Sequence, residues 1–268
     1  MIGAAVVVFA VPSHALREVA LMAAPDLPRE ALVINVAKGL EETSLARMSE
    51  ILCQVLPDRG GDGSGVVSLL GPSHAEEVSR DHPTALVAAS LDPEAARAAQ
   101  AIFNCETLRV YTSPDLVGVE LAAGLKNVIA IAAGISFGVG YGDNSFGALV
   151  TRGLAEMTRL GVAMGGRPET FAGLSGLGDL VTTCVSRHSR NRFVGEEIGK
   201  GRKPEEVISG MSMVAEGVRT TRAVRGLVAR AGIEMPLADQ VHEVLFSGKD
   251  PRAAIRDLML RDPKAELS

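Results

Sequence analysis

Five apolar, β-branched runs punctuate the first 112 residues, and no comparable series follows them. They are AVVVFAV (5–11), LVINVA (32–37), VVSLL (66–70), TALVAA (84–89) and LRVYT (108–112), with helix-like stretches near 14–23, 43–56, 74–81 and 93–103 between them. Strands that are apolar continuously, rather than alternately, need cover on both faces. The pattern therefore predicts a parallel α/β sheet with helices packed on it. From TSPDLVG (112–118) onward the period turns helical. Ser113 offers a cap, Pro114 suits a first helical turn, and Asp115 complements the positive end of the helix dipole. FGALVTRGLAEMTRLGVAMG (146–165) and GVRTTRAVRGLVARAG (217–232) are amphipathic, and each closes on Gly. The expected organisation is an α/β domain over 1–112 and a helical domain over 113–268. PDRGGDGSG (57–65) reads as a surface loop.

Composition narrows the function classes. A net charge of −5, no Trp and two Tyr supply neither the basic field nor the stacking platform of a nucleic-acid binder. Cys53, Cys105 and Cys184 form no CxxC pair, which favours a reducing cytoplasm over a disulfide framework or zinc knuckle. His14, His74, His82, His188 and His242 show no HxH or HxxxH spacing, so they read as surface or core residues and no metal site is expected. The longest apolar stretch reads as too short to span a membrane, and Lys126 interrupts it. The first residues lack the basic segment of a signal peptide.

Two strand ends share one design, AVPSHA (10–15) and LGPSHA (70–75). Each runs from apolar strand through Pro and Ser into a helix. That aims a hydroxyl and free N–H groups at the sheet's carboxyl edge, where ligands of doubly wound folds sit. Ser13 and Ser73 read equally as plain helix caps. Lys38 follows the second strand in NVAKGL. In GLSGLGDLVTTCVSRHSRNRFVG (173–195), Gly173, Gly176 and Gly178 permit tight turns before Asp179. Arg187, Arg190 and Arg192 then cluster with Ser186, Ser189 and Asn191, a donor set that suits a phosphate and that also occurs in solvated basic loops. In LAAGLKNVIAIAAG (121–134) Lys126 is the sole charge. Snorkelling, or an ion pair with Glu120 or a distant acid, would account for it. So would an ammonium tuned to serve a substrate oxygen, oriented by Asn127 and Asp179.

Taken in order, AVPSHALRE (10–18), AKGLE (37–41), GPSHAEEV (71–78), ELAAGLKNVIAIAAGI (120–135), YGDNSFGALVTRGLAEMTRLG (141–161), the 173–195 stretch and MVAEGVRTT (213–221) resemble the bacterial NAD(P)-dependent glycerol-3-phosphate dehydrogenase family. The resemblance implies a Rossmann-like sheet followed by an all-α domain of the 6-phosphogluconate dehydrogenase C-terminal type. It also implies NAD or NADP as cofactor, dihydroxyacetone phosphate and sn-glycerol 3-phosphate as substrates for phospholipid synthesis, and a homodimer as the candidate assembly. Residue by residue, it places the acid/base on Lys126 with Asp179 beside it. The substrate site falls on Lys38, Gly71, Ser73, Lys126, Asp179, Ser189, Arg190 and Asn191, and the cofactor contacts on Lys38, Ala75, Arg190, Val214 and Glu216. The family opens on a glycine-rich pyrophosphate loop, and no G-x-G-x-x-G occurs in these 268 residues. The first strand matches one inside the family's Rossmann domain. The expectation is thus an N-terminally truncated domain lacking two to three βα units, roughly 60–90 residues, with a bare strand edge. A related hydroxyacid dehydrogenase, or an inactive fragment that binds a phosphorylated metabolite or only dimerises, are the alternative readings.

Overall fold

The computed structural model describes residues 3–56, 65–211, 213–263 and 265–266. Most of the 57–65 loop expected from the sequence lies outside the described residues. Strands β1 (Val6–Phe9), β2 (Leu32–Asn35), β3 (Val66–Leu70), β4 (Thr84–Ala89) and β5 (Leu108–Ser113) form one sheet in the order β1-β2-β3-β4-β5. Three pairings are parallel, and β3 pairs antiparallel with β4. The sheet is therefore parallel-dominated rather than wholly parallel. The cause lies in the connection: α3 (Ala75–Val78) is a single turn, about 6 Å of rise, and cannot return the chain to the far end of the sheet.

Helices α1 (Leu16–Ala23) and α2 (Met48–Val55) cover one face, with Phe9, Leu16, Val33, Ile51, Leu52 and Val66 in one apolar cluster. Helix α4 (Pro93–Phe103) covers the other, against Ile34, Val67, Leu69, Leu86 and Val110. Successive residues Val33 and Ile34 thus enter opposite layers, which is why β2 has no polar alternation. Strand β1 departs from this rule. It pairs only with β2, its Val6 and Val7 are half-buried, and Val8 is 42% exposed.

After β5 the chain enters α5 (Leu116–Val139), capped by Asp115 and not by Ser113. Asp115 Oδ1 accepts from the Gly118 N–H at 2.9 Å, while Ser113 Oγ accepts from the Asp115 N–H. The other Asp115 oxygen accepts from the Arg167 N–H and the Thr170 hydroxyl, binding α7 (Pro168–Ala172) to the start of α5. At 24 residues, α5 is long and apolar enough to cross a membrane, contrary to the length read from the sequence, but 94% of its apolar window is buried inside the protein. A helix apolar on every side is a core helix when other helices sheathe it. Here the sheath is α6 (Asp143–Ala163), α8 (Asp179–Val185), α9 (Arg190–Gly199), α11 (Glu216–Ala231) and α12 (Pro236–Phe246). The expected glycine stops of α6 and α11 are present: Gly165 and Gly232 have φ of 96° and 64°. The remaining helices are α10 (Pro204–Ser209) and α13 (Pro251–Met259).

One helix pair approaches backbone to backbone. Gly134 and Gly138 of α5 face Gly195 and Gly199 of α9. A Cβ on Gly134 would meet the Arg192 carbonyl oxygen, and one on Gly195 would meet that of Ile131. The close approach fixes α9, and with it the loop that precedes it, against the helix carrying Lys126.

Candidate active site

Lys126 projects from the middle of α5 toward the start of α8. A π-helical turn, Leu174–Gly178, delivers the chain there with Asp179 as the first α8 residue. A Cβ on Gly176 would meet the Phe171 carbonyl, so this turn can close so tightly only on glycine. Lys126 Nζ donates to Asp179 Oδ1 and, at 2.7 Å, to Thr183 Oγ1. Asp179 and Thr183 stand four residues apart, hence on one helix face. The second Asp179 oxygen accepts from Lys38 Nζ at 2.9 Å, and Lys38 also donates to the Gly71 carbonyl. Lys38 and Gly71 follow β2 and β3. The carboxyl ends of the sheet and the core of the helical half therefore meet at one carboxylate.

The electrostatics follow from burial. Lys126 is 4% exposed and Asp179 2%. Desolvation pulls the Lys126 ammonium from its ordinary 10.5 down to about 7; Asp179 opposes this and Lys38 adds to it. For Asp179, burial pushes upward, but the ammoniums of Lys126 and Lys38 outweigh it and hold the carboxyl below its ordinary value. A lysine poised near neutrality beside a fixed carboxylate can give or take a proton at pH 7.

The other residues expected at the site divide into two groups. Ser73 donates from Oγ to the Gly71 carbonyl at 3.2 Å, beside Lys38. Ser13 is buried, and both its N–H and its hydroxyl bond the Glu216 carboxylate at the start of α11. Neither serine is a helix cap. Arg190, exposed at the start of α9, donates to the Val214 carbonyl at 2.9 Å. Ala75 opens α3, two residues after Ser73. Ser189 and Asn191 are committed internally. Ser189 caps α9 through the Arg192 N–H, and Asn191 joins Asn127 (2.9 Å) to the Gly217 N–H (2.8 Å). Asn127 therefore orients Asn191 rather than Lys126. Of the three clustered arginines, Arg192 turns away to the Val185 carbonyl, Glu196 and the Phe137 ring.

Glu120 does not pair with Lys126. Six residues earlier on α5, it faces another way and accepts from Arg47 (2.8 Å), the Ser49 N–H (2.9 Å), the Ser49 hydroxyl (2.6 Å) and Ser68 (2.7 Å). Thr183 was not singled out from the sequence. Its four-residue spacing from Asp179 in DLVTT was the available signal.

Comparison with known proteins identifies the family. The model of the NAD-dependent glycerol-3-phosphate dehydrogenase C-terminus matches residues 115–256, and that of the N-terminus matches residues 1–96. The glycerol-3-phosphate dehydrogenase [NAD(P)+] of Chlorobium limicola is 55% identical over 262 residues, covering 97% of this chain and 78% of the relative. That of Pelotomaculum thermopropionicum is 53% identical, covering 97% and 74%. The crystal structure of glycerol-3-phosphate dehydrogenase from Coxiella burnetii superposes with a TM-score of 0.89 at 37% identity, over 97% of this chain and 78% of that one. With both halves matched and more than half of its residues shared with such a relative, the chain belongs to the NAD-dependent glycerol-3-phosphate dehydrogenase family.

Proposed function

We propose that this site interconverts dihydroxyacetone phosphate and sn-glycerol 3-phosphate, with Lys126 as the proton donor and acceptor at the C2 oxygen. The observation that carries the reading is the buried Lys126–Asp179–Thr183 cluster with its ammonium near neutrality. In the reducing direction Lys126 Nζ gives its proton to the oxygen forming at C2. Asp179 and Thr183 hold the ammonium in place, and Lys38, fixed by Asp179 and the Gly71 carbonyl, adds a second positive charge facing that oxygen. Arg190, at the amino end of α9, offers a guanidinium to the phosphate, with Ser189 and Asn191 shaping the helix start behind it.

NAD or NADP supplies the hydride at C2 when bound. This chain's residues fit the nicotinamide end of such a cofactor. Arg190 reaches the Val214 carbonyl, and Glu216, two residues on, bridges to Ser13 just past β1, against Gly39, which follows Lys38; Ala75 opens α3. After β1 the turn into α1 runs through Val11, Pro12, Ser13 and His14 and contains no glycine to cradle a pyrophosphate. That turn and the bare edge of β1 support the reading of a partial dinucleotide-binding half. Thiols at Cys105 and Cys184 support a reducing, cytoplasmic setting. An apolar trough of about 630 Å³, lined in part by Leu149, Val244, Ile255 and Met259, supports a homodimer seated on the helical half.

The test is calorimetric titration with sn-glycerol 3-phosphate, followed by NADH oxidation with dihydroxyacetone phosphate at millimolar cofactor. Binding to the wild type, and a loss of about 10²-fold or more in kcat for Lys126→Ala, are expected. No binding, or a variant with more than half the wild-type kcat, would sink the proposal.

A further inference from the structure

Strands β2 and β3 are apolar except at one place each. Asn35 closes β2, Ser68 stands midway along β3, and the parallel register sets the two side by side. Both are 0% exposed. Polar side chains buried this deeply cost free energy unless each donor and acceptor finds a partner, and a pair of apolar residues of like shape can be as stable. Their presence in an apolar sheet asks for a use.

The Asn35 amide is fully spent. Its Oδ1 accepts from the Ala37 N–H at 2.9 Å and its Nδ2 donates to the Ala37 carbonyl at 3.1 Å, so it grips both polar groups of the residue before Lys38. The remaining Nδ2 hydrogen goes to Ser68 Oγ at 3.3 Å, the longest link. The Ser68 hydroxyl in turn donates to Glu120 Oε1 at 2.7 Å. Glu120, 2% exposed, also accepts from Arg47 and from the N–H and hydroxyl of Ser49, so both of its oxygens are anchored to the sheet half.

The series of bonds returns to the helix it started from. Lys38 Nζ donates to Asp179 Oδ2 at 2.9 Å and to the Gly71 carbonyl, and Asp179 Oδ1 accepts from Lys126. Lys126 stands on α5 six residues, about 9 Å, beyond Glu120. Strand β3 takes part twice, through Ser68 and through Gly71 just past its end. Lys38 needs such support. It lies on the connection between β2 and α2, on a flexible four-carbon stem, and its side chain is 20% exposed against 2% for Asp179.

We propose that Asn35, Ser68 and Glu120 form a buried relay that positions Lys38 against the Asp179 carboxylate, serving the reaction without touching substrate. The proposal rests on the role given to Lys126 above. With Lys38 in place, Asp179 divides its charge between two ammoniums. With Lys38 displaced, Asp179 is left to Lys126 alone and a repelling charge is gone, and both changes tighten the hold of Lys126 on its proton. The groups within electrostatic reach of Lys126 are Asp179 and Cys184 on α8, Lys38 after β2 and His74 after β3, and variants of the relay remove none of them.

The test is NMR of the whole chain labelled with carbon-13 at the lysine ε positions, which needs neither substrate nor cofactor. In the wild type the two ε protons of Lys38 should be inequivalent, as in a held side chain, and in Asn35→Leu and Ser68→Ala they should merge. The Lys126 titration midpoint should rise by roughly one pH unit in Lys38→Met, the scale of a nearby charge lost, and by roughly half that in either relay variant. Adding Asn35→Leu to Lys38→Met should move Lys126 no further, because the relay acts through Lys38. A further rise in the double variant would mean that the relay only keeps water out, and overturns the proposal. Lys38 ε protons that stay inequivalent in both relay variants overturn it too. Ser68→Ala removes a single oxygen, so the comparison survives if Asn35→Leu does not fold. If wild-type Lys126 titrates near its ordinary 10.5, the functional reading falls, while the Lys38 protons still decide for or against the relay.

Discussion

At the scale of single residues, the pH dependence of catalysis is the sharpest consequence of the site. In the proposed role, oxidation of glycerol 3-phosphate needs neutral Lys126 to accept the hydroxyl proton, and reduction needs the ammonium. With its pKa drawn down by burial to about 7, kcat for oxidation should climb through that pH and kcat for reduction should fall through it. Steady-state profiles in both directions check this. A rising limb displaced toward 10 would mean that Lys126 is hydrated and not the acid/base. Arg190→Ala should chiefly raise KM for dihydroxyacetone phosphate, because a guanidinium on phosphate serves ground and transition states alike, and Lys should rescue it poorly for lack of a fork. An unchanged KM with a fallen kcat would remove Arg190 from the phosphate site. The lysine was legible in the sequence because an unpaired charge in an apolar helix demands a cause. Its partner was less so: apolar period alone left an ion pair with Glu120 open beside Asp179, and the resemblance pointed to Asp179; in the fold α8 faces Lys126 while Glu120 faces Ser49 and Ser68. The commitment of Asn191 to Asn127 and Gly217 could not be read at all, since it depends on how α5, α9 and α11 cross.

At the scale of elements, the contact between α5 and α9 tolerates no side chain. Gly195→Ala would drive a methyl into the Ile131 carbonyl, and rotamer changes cannot relieve a clash with backbone. Overpacking commonly costs about 1–3 kcal/mol, and this site belongs at or above the upper end. Denaturant unfolding should show a loss of roughly 3 kcal/mol or more; a loss under about 1 kcal/mol would mean the helices part easily. Helix α12 carries a second device, a buried Glu156 accepting from its Leu237 and Ala238 N–H groups at 2.8 and 3.2 Å. Burial raises the Glu156 pKa from 4.5 to about 7. The folded chain therefore holds more protons than the unfolded one between those values, and stability should decline as pH rises from about 4.5 to about 7. Glu156→Gln should flatten that slope, as read from urea midpoints at several pH values. Strands and long helices were visible in the sequence because apolar period and glycine stops are local. The antiparallel β3–β4 pairing and the glycine contact were not, because both are set by partners distant in the chain.

At the scale of the whole molecule, one edge of the sheet stands apart. The sheet ends on β1, with Val8 outward and no strand beyond it among the described residues. Such an edge invites intermolecular pairing. The purified chain should therefore show helical dichroism with poor solubility, and Val8→Lys should raise the soluble fraction; no gain would clear the edge of blame. The junction between the halves has a different use. Lys126 is short of a proton at pH 8.5 only while the sheet end stays seated over α5 and α8. Each excursion that admits water there restores an ordinary amine, which takes up one proton from the medium and returns it on closing. Breathing of the junction is thus coupled to buffer. Measured in two buffers of unlike ionisation heat, the difference in opening enthalpy counts those protons, and the buried lysine becomes an internal gauge of how often the two halves part.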